Sequence, residues 1–329
     1  MGPIFHIGFH KTATSWFQRC VYPFLEGHRL IDRRRARQVL LDRDAFAFDP
    51  EKARAALGLD RPGLVPVICE EDLSGVLHIG LASGYIAREV ARRLNQTAPN
   101  AQIVIFVRAQ PEAALSWYQQ YLREGGTRSV RRYLFGDSYQ QPGRLRPFKL
   151  PHFSFDQLDY RGLIEHYDRL FGTRNVHVFP YERLTRDRDA LLDEMAHRLG
   201  WPTLPDLADD RRVNAGYGVG LMTLARGMNL FTARSVADKR TLVHLPFWYP
   251  VRKGLLGALN RTGLFPRATP ERVLGKAVVR WIHHYFWRSN RWLEGRMETD
   301  LRVLGYPLDP PRIEAEEPAR SPLLRWVRN

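Results

Sequence analysis

Three near-continuous apolar runs constrain this chain more than anything else in it: PIFHIGF (Pro3–Phe9), LVPVICE (Leu64–Glu70) and QIVIFVR (Gln102–Arg108). A fourth run, NVHVFPY (Asn175–Tyr181), is rich in valine and aromatics. Short runs that lack polar alternation read as strands buried on both faces. Stretches of helical period lie between them. SGYIAREVARRLNQ carries Ile86, Val90 and Leu94 on one face, with Ser83 as the expected N-cap. PEAALSWYQQYLRE opens on Pro111 at an expected helix start. DYRGLIEHYDRLFG and DRDALLDEMAHRLG end on Gly172 and Gly200, the expected C-caps. Strands alternating with helices argue for an α/β class with a central, mostly parallel sheet flanked by helices. After Trp201 the strand signals stop. The pattern turns helical, with one long helix expected from Pro270 to Leu304 and a tail from Pro307.

The length allows one large domain, taken as an α/β nucleotide-binding core over 1–215, a helical substrate or capping region over 216–306 and a tail over 307–329. With 44% hydrophobic and 26% charged residues, wholesale disorder is excluded. The net charge is +15, and lysine supplies only six of the basic positions. From Gly216 onward there are 19 basic against 9 acidic residues, about two-thirds of the excess. Such a field draws in anions: nucleotides, acidic glycans or anionic lipid heads. Cys20 and Cys69 sit in apolar sequence and are expected as buried thiols; no zinc-ligand spacing exists, and no metal is expected. MGPIFHIGF lacks the basic-then-apolar order of a signal peptide, and His6 occupies the place where myristoylation needs Ser or Thr. No run is long and apolar enough to span a bilayer. The expectation is a cytoplasmic protein, with peripheral contact at the inner membrane surface left open.

In an open α/β sheet, ligands bind beyond the carboxyl ends of the strands. Here those ends lead into HKTATS, CEEDLSG, VRAQPEAALSW and PYERL. The first loop joins a strand to a helix and holds Lys11, Thr12, Thr14 and Ser15, yet GxxxxGK[ST] cannot be laid over GFHKTATS. Successive backbone N–H groups and hydroxyls there can cradle an anion, with Lys11 as a mobile charge. The same residues also suit a well-capped helix start with a solvated lysine. Arg108 ends the third strand and Ser116 lies eight residues on, facing back from the second helical turn, so that a guanidinium and a hydroxyl can share one phosphate.

At this point the chain resembles the PAPS-dependent sulfotransferases, in particular bacterial members of the carbohydrate and glycolipid type. KTATSW resembles their 5′-phosphosulfate loop, commonly PKSGTTW. VRAQPEAALSWY resembles their 3′-phosphate motif, RxPxxxxxSxY, with Arg108, Ser116 and Tyr118 in register and Pro111 one place late. ICEEDLSG looks like an SSExLSG segment, NVHVFPYERL like a YEDL segment, and VNAGYG and SNRWLEGRMETDLRVLGYP like C-terminal blocks of the same group. The resemblance runs from Ile4 to about Pro307 and implies a P-loop-like three-layer fold. It further implies PAPS (3′-phosphoadenosine 5′-phosphosulfate) as co-substrate. Lys11 would stand at the bridging oxygen, and Thr12, Ala13, Thr14 and Ser15 would wrap the 5′-phosphate. Trp16 and Tyr181 would lie by the adenine, with Arg108 and Ser116 on the 3′-phosphate. His10 replaces the usual proline, and Ala13 replaces a glycine, so Ala13 is expected to keep a negative φ.

Sulfuryl transfer needs positioning, charge stabilisation and a general base, and no magnesium. The resemblance implies Glu71 as the base, since it falls where the related enzymes carry a glutamate, with Glu70 the runner-up. Neighbouring strand residues face opposite ways, so only one of the pair should reach the cleft. His6 and His10 are other candidate bases; His6 shares a face with Ile4 and Gly8 inside a buried strand and is expected to be structural. The acceptor is expected to be a hydroxyl of a glycan or glycolipid. SWYQQYLREGGTRSVRRYLFG and AVVRWIHHYFWRSNRWLEGR join aromatics to arginines, which suits either a sugar platform or a packed core. LPFWYPVRKGLLGALNRTGLFPR mixes bulky apolar and basic residues, as a surface against anionic lipid would. The competing readings are a P-loop-type small-molecule kinase and a non-catalytic basic protein that binds nucleotide or nucleic acid. Nucleic acid is not the expected partner, since no helix-turn-helix, RNP-like or zinc pattern is present.

Overall fold

The computed structural model describes residues 2–80, 82–136, 153–204, 216–232 and 241–310. The tail beyond 310 and residues 213–215 of the VNAGYG block lie outside the described residues. Five strands, β1 (Ile4–Gly8), β2 (His28–Leu30), β3 (Val65–Cys69), β4 (Gln102–Val107) and β5 (Val176–Pro180), form one sheet in the order β2-β3-β1-β4-β5. Every neighbouring pair is parallel. The four apolar runs of the sequence are β1, β3, β4 and β5. The short β2, only half-buried, had no apolar run to announce it.

Helices cover both faces, making three layers: α1 (Thr14–Trp16), α2 (Arg33–Leu40), α3 (Pro50–Leu57), α4 (Ala82–Thr97), α5 (Gln110–Arg123), α6 (Val130–Phe135) and α7 (Tyr160–Phe171). After β5 come α8 (Arg183–Arg186), α9 (Arg188–Leu199), α10 (Val219–Met228), α11 (Trp248–Arg261), α12 (Pro270–Val273) and α13 (Lys276–Met297). Alternation along the strands divides the core between the layers. Phe5, Ile7, Ile103, Ile105 and Val178 face a large cluster built on α4, α5 and α7, which continues into Leu221, Leu256, Ile282 and Phe286 of the helical part. Ile4, Val67, Val104, Phe106 and Phe179 face a smaller one, closed by Phe17, Tyr22 and four residues of α9: Leu191, Leu192, Met195 and Leu199. Each of those α9 side chains contributes about 1.5–3 kcal/mol by burial, before its ordering entropy is counted.

Several local expectations change. The helix expected from Pro270 to Leu304 is broken at Gly275 (φ 92°) and stops at Met297, where Glu298 turns left-handed (φ 52°). Apolar periodicity runs through both pieces, so only the backbone reveals the break. Ser83 does not cap α4: it lies inside the helix, buried, with its hydroxyl given to the carbonyl of Val76. Gly172 (φ 80°) and Gly200 (φ 63°) follow α7 and α9 directly. Cys69 is buried but Cys20 only half so, and both are free thiols.

Because β1 lies between β3 and β4, the loop after β1 is flanked by the loops after both. The backbone ties this edge together: the Phe9 amide donates to Phe106 O at 2.8 Å, the Glu70 amide to His6 O at 3.0 Å and the Tyr181 amide to Val107 O at 2.8 Å. All four polar strand ends therefore meet along one edge of the sheet.

Candidate active site

The loop after β1 needs a close approach and two left-handed turns. At Gly8 (φ 123°) a Cβ would stand 2.9 Å from Ser74 Oγ. Lys11 (φ 65°) and Ala13 (φ 70°) then take left-handed conformations. This overturns the negative φ expected at Ala13. Left-handed backbone costs a non-glycine residue about 1–2 kcal/mol, and local hydrogen bonds oppose that cost. The Ala13 carbonyl accepts from the Trp16 amide at 2.8 Å and the Phe17 amide at 3.1 Å. The Thr12 hydroxyl donates to Phe9 O at 2.6 Å. Among the described residues no protein acceptor takes the amide hydrogens of Thr12, Ala13, Thr14 or Ser15. The helix that follows is three residues long and then widens to a π turn over Phe17–Val21. Such a loop can attract an anion through these amides and Lys11, with little helix dipole behind them.

Lys11 is half-buried, and its Nζ donates to Gln120 Oε1 of α5 at 3.3 Å. Burial, with Arg123 and Arg108 nearby, outweighs Glu71 and Glu124 and pushes the ammonium down to about 8.

The acidic run after β3 divides its labour. Glu70 is fully buried, and Arg33 of α2 grips it with a fork, Nε to Oε2 at 2.5 Å and Nη2 to Oε1 at 2.9 Å. Its Oε1 also accepts the Asp72 amide at 3.1 Å, so both oxygens are engaged away from the loop. Asp72 is paired with Arg37. Glu71 turns the other way and accepts the Thr14 hydroxyl. Arg33 Nη2 lies 3.5 Å from Glu71 Oε1. Burial raises the Glu71 carboxyl, but His10, the Thr14 hydrogen bond, Arg33 and Lys11 together hold it below the ordinary value. It is an anion at neutral pH.

The histidines are occupied elsewhere. His10 Nε2 donates to Gly75 O at 2.7 Å and lies 3.5 Å from Asp72 Oδ1, so its ring braces the β3 loop. His6 is buried among Phe17, Tyr22 and Phe106, with Nδ1 2.9 Å from the Tyr22 hydroxyl. Burial pushes His6 down to about 3, which keeps it neutral.

Beyond β4, Arg108 Nη1 donates to Lys11 O at 3.1 Å, and the guanidinium lies 4.7 Å over the Tyr181 ring. Its Nε is buried with no partner among the described residues. The Tyr160 hydroxyl donates to Arg108 O at 2.7 Å, and Glu182 accepts the Ala109 amide at 3.0 Å. Ser116 is buried on the second turn of α5, with no hydrogen bond to Arg108. Tyr118 gives its hydroxyl to Arg128 O at 3.1 Å. Trp16 packs edge-on to Phe17 at 5.1 Å, in the smaller core layer. The structure thus gathers Lys11, Thr14, Glu71, Arg108 and Tyr181, and leaves Ser116, Trp16 and the His10 ring without direct contact to that group.

Sequence reasoning missed Gln120, Glu124 and Arg33. Gln120 Nε2 donates to Glu124 Oε1 at 2.7 Å, and Glu124 Oε2 lies 3.3 Å from His78 Nε2. Ser116 and Gln120 share one face of α5 and Glu124 follows four residues on, at the helix's C-cap, a spacing visible in the sequence. Of the aromatics in this region, Tyr118, Tyr121 and Tyr133 pack against one another in the core. A cavity of about 310 Å³, lined by residues including Gly2, Pro3, Arg54 and Val65, opens at the opposite edge of the sheet. Among the described residues no three His, Cys, Asp or Glu side chains converge as metal ligands.

No protein-family model matches the chain, and no curated protein matches it. Among solved structures it is similar to a sulfotransferase from Alicyclobacillus acidocaldarius, at 16% identity and a TM-score of 0.47 over 65% of this chain and 87% of that one. It is similar to mouse sulfotransferase SULT7A1 complexed with PAP, at 15% identity and a TM-score of 0.38 over 94% and 90% of the two chains. A third similarity, at 12% identity and a TM-score of 0.35, is to the sulfotransferase domain of the curacin biosynthetic pathway, over 78% and 96%. At these scores the likenesses carry no weight of their own, and the functional reading rests on the side chains at the sheet edge.

Proposed function

We propose that this chain transfers a sulfuryl group from PAPS to a hydroxyl of a glycan, glycolipid or related acceptor. The observation that carries this reading is the meeting of Lys11, Glu71 and Arg108 on one sheet edge, around amides that no described residue accepts from. PAPS supplies an already activated sulfuryl group, so the chain has to bind, orient and move one proton. The amides of Thr12 to Ser15 and the Ser15 hydroxyl would hold the 5′-phosphosulfate, and Lys11, an ammonium at neutral pH, would neutralise the departing phosphate oxygen. The unpartnered Nε of Arg108 would meet the 3′-phosphate, with Ser116 completing that site and Tyr181 and Trp16 bordering the adenine. Glu71, ionised at neutral pH, would take the acceptor's proton. Glu70 is the weaker candidate because Arg33 holds both of its oxygens. The chain requires no metal on this reading.

Calorimetric titration tests it. 3′-Phosphoadenosine 5′-phosphate is expected to bind far more tightly than AMP, and Arg108→Ala to remove about 10–100-fold of that preference. Equal affinity for the two nucleotides, or magnesium-dependent ATP turnover, would overturn the proposal.

A further inference from the structure

Among the described residues, nine of the fourteen exposed large hydrophobic side chains fall between Leu224 and Leu264. Phe247 is 85% exposed, Leu264 75%, Leu242 69%, Val251 57% and Leu255 47%. Singly, exposed apolar side chains are ordinary; such a concentration along one stretch of chain is not. Phe247 is also left-handed (φ 63°) at the start of α11, an aromatic ring held outward at a strained position. Along α11 the exposed Val251, Leu255 and Ala258 are three and four apart and form one face, about 100° round the helix from the buried Arg252 and Leu256. The buried face is fixed by polar bonds: Arg252 Nη2 donates to Leu122 O at 2.7 Å and Arg123 O at 3.2 Å, at the end of α5. The apolar face is therefore presented on a helix clamped to the element that carries Gln120.

Charge identifies the partner. From Thr241 to Pro270 there is no aspartate or glutamate, while Lys253, Arg261 and Arg267 are exposed. Two copies meeting by this face would bring like charges together. An anionic surface would be attracted by the same charges and would receive the apolar side chains behind them. No described helix is long and apolar enough to cross a membrane. We propose that α11 and the segment before it form a docking surface for a bilayer bearing anionic headgroups, lying in its interface without spanning it. This inference does not depend on the sulfuryl-transfer reading, since it is measured by binding alone.

The test is co-sedimentation of the full chain with phosphatidylcholine vesicles, with and without phosphatidylglycerol. Binding is expected only with phosphatidylglycerol and is expected to fall as salt is raised. The double variant Phe247→Ser, Leu255→Ser should weaken it about tenfold or more, and Lys253→Glu with Arg261→Glu should do the same. All four positions are exposed, so the thermal melt should not move. Absence of vesicle binding, or equal binding by the variants, overturns the proposal. So does a concentration-dependent dimer in analytical ultracentrifugation that Phe247→Ser abolishes, because the face would then belong to a second copy.

Discussion

Arg108 Nη1 donates to the carbonyl oxygen of Lys11 over 3.1 Å, joining two loops that lie almost a hundred residues apart. The bond does more than fasten backbone. It holds a guanidinium beside the loop's left-handed turn and leaves that group's buried Nε to seek another acceptor. A lysine at this place would keep the charge but lose the planar fork. Arg108→Lys is expected to weaken 3′-phosphoadenosine 5′-phosphate binding about tenfold. It should also speed hydrogen–deuterium exchange at the Trp16 and Phe17 amides, which the Ala13 carbonyl of the same loop holds.

The pH dependence of nucleotide binding should follow Lys11. Its ammonium, pushed down to about 8 by burial and by Arg123 and Arg108, loses its proton well before an ordinary lysine. A bound anion favours the charged form, so affinity should fall as pH rises through about 8. For stability the sign is opposite. Between about 8 and the ordinary lysine range the unfolded chain holds a proton that the folded chain has released, so folding gains with rising pH there. Lys11→Met should therefore raise the melting temperature at neutral pH, and that advantage should shrink as the pH climbs above 8.

Glu70 and Glu71 should fail in different ways. Glu71→Gln is expected to cut turnover by about 10²–10⁴ with little change in melting temperature. Glu70→Ala leaves a void, takes the acceptor from the buried Asp72 amide and frees the half-exposed Arg33 fork, and should destabilise the fold by about 1–3 kcal/mol. Steady-state kinetics beside denaturant titration separates the two. A Glu70→Gln variant that folds normally yet is inactive would reverse the assignment.

Ala13→Gly should stabilise the protein by up to about 1 kcal/mol, since removal of the left-handed penalty exceeds the added entropy of the unfolded glycine. Urea titration reads this directly. A loss of stability would mean that the Cβ of Ala13 is needed for packing.

What the sequence showed, and what it hid, divides along physical lines. β1, β3, β4 and β5 were legible because strands buried on both faces leave uninterrupted apolar runs. β2 (His28–Leu30) is three half-buried residues at the sheet edge and leaves no such run. Gly275 was visible as a residue, but its break in the helix was masked by apolar spacing that continues through it. At the sheet edge, residue types and order singled out Lys11 and Arg108, the resemblance singled out Glu71, and the three do lie close together. The left-handed Ala13 was not legible, because hydrogen bonds to Trp16, Phe17 and the neighbouring turn, rather than alanine's own preference, set its φ. Nor was Arg33, whose role arises only when α2 is laid against the end of β3.

That last contact has a consequence for how this protein can be altered. One guanidinium on α2 grips Glu70 and lies 3.5 Å from Glu71, so the acidity of the loop carboxylate is linked to the seat of an outer helix. Small shifts of α2, made by repacking Ala36 or Leu40, would retune the pH window of the sheet edge while every residue there stayed the same. The outer layer works as a dial for the inner one.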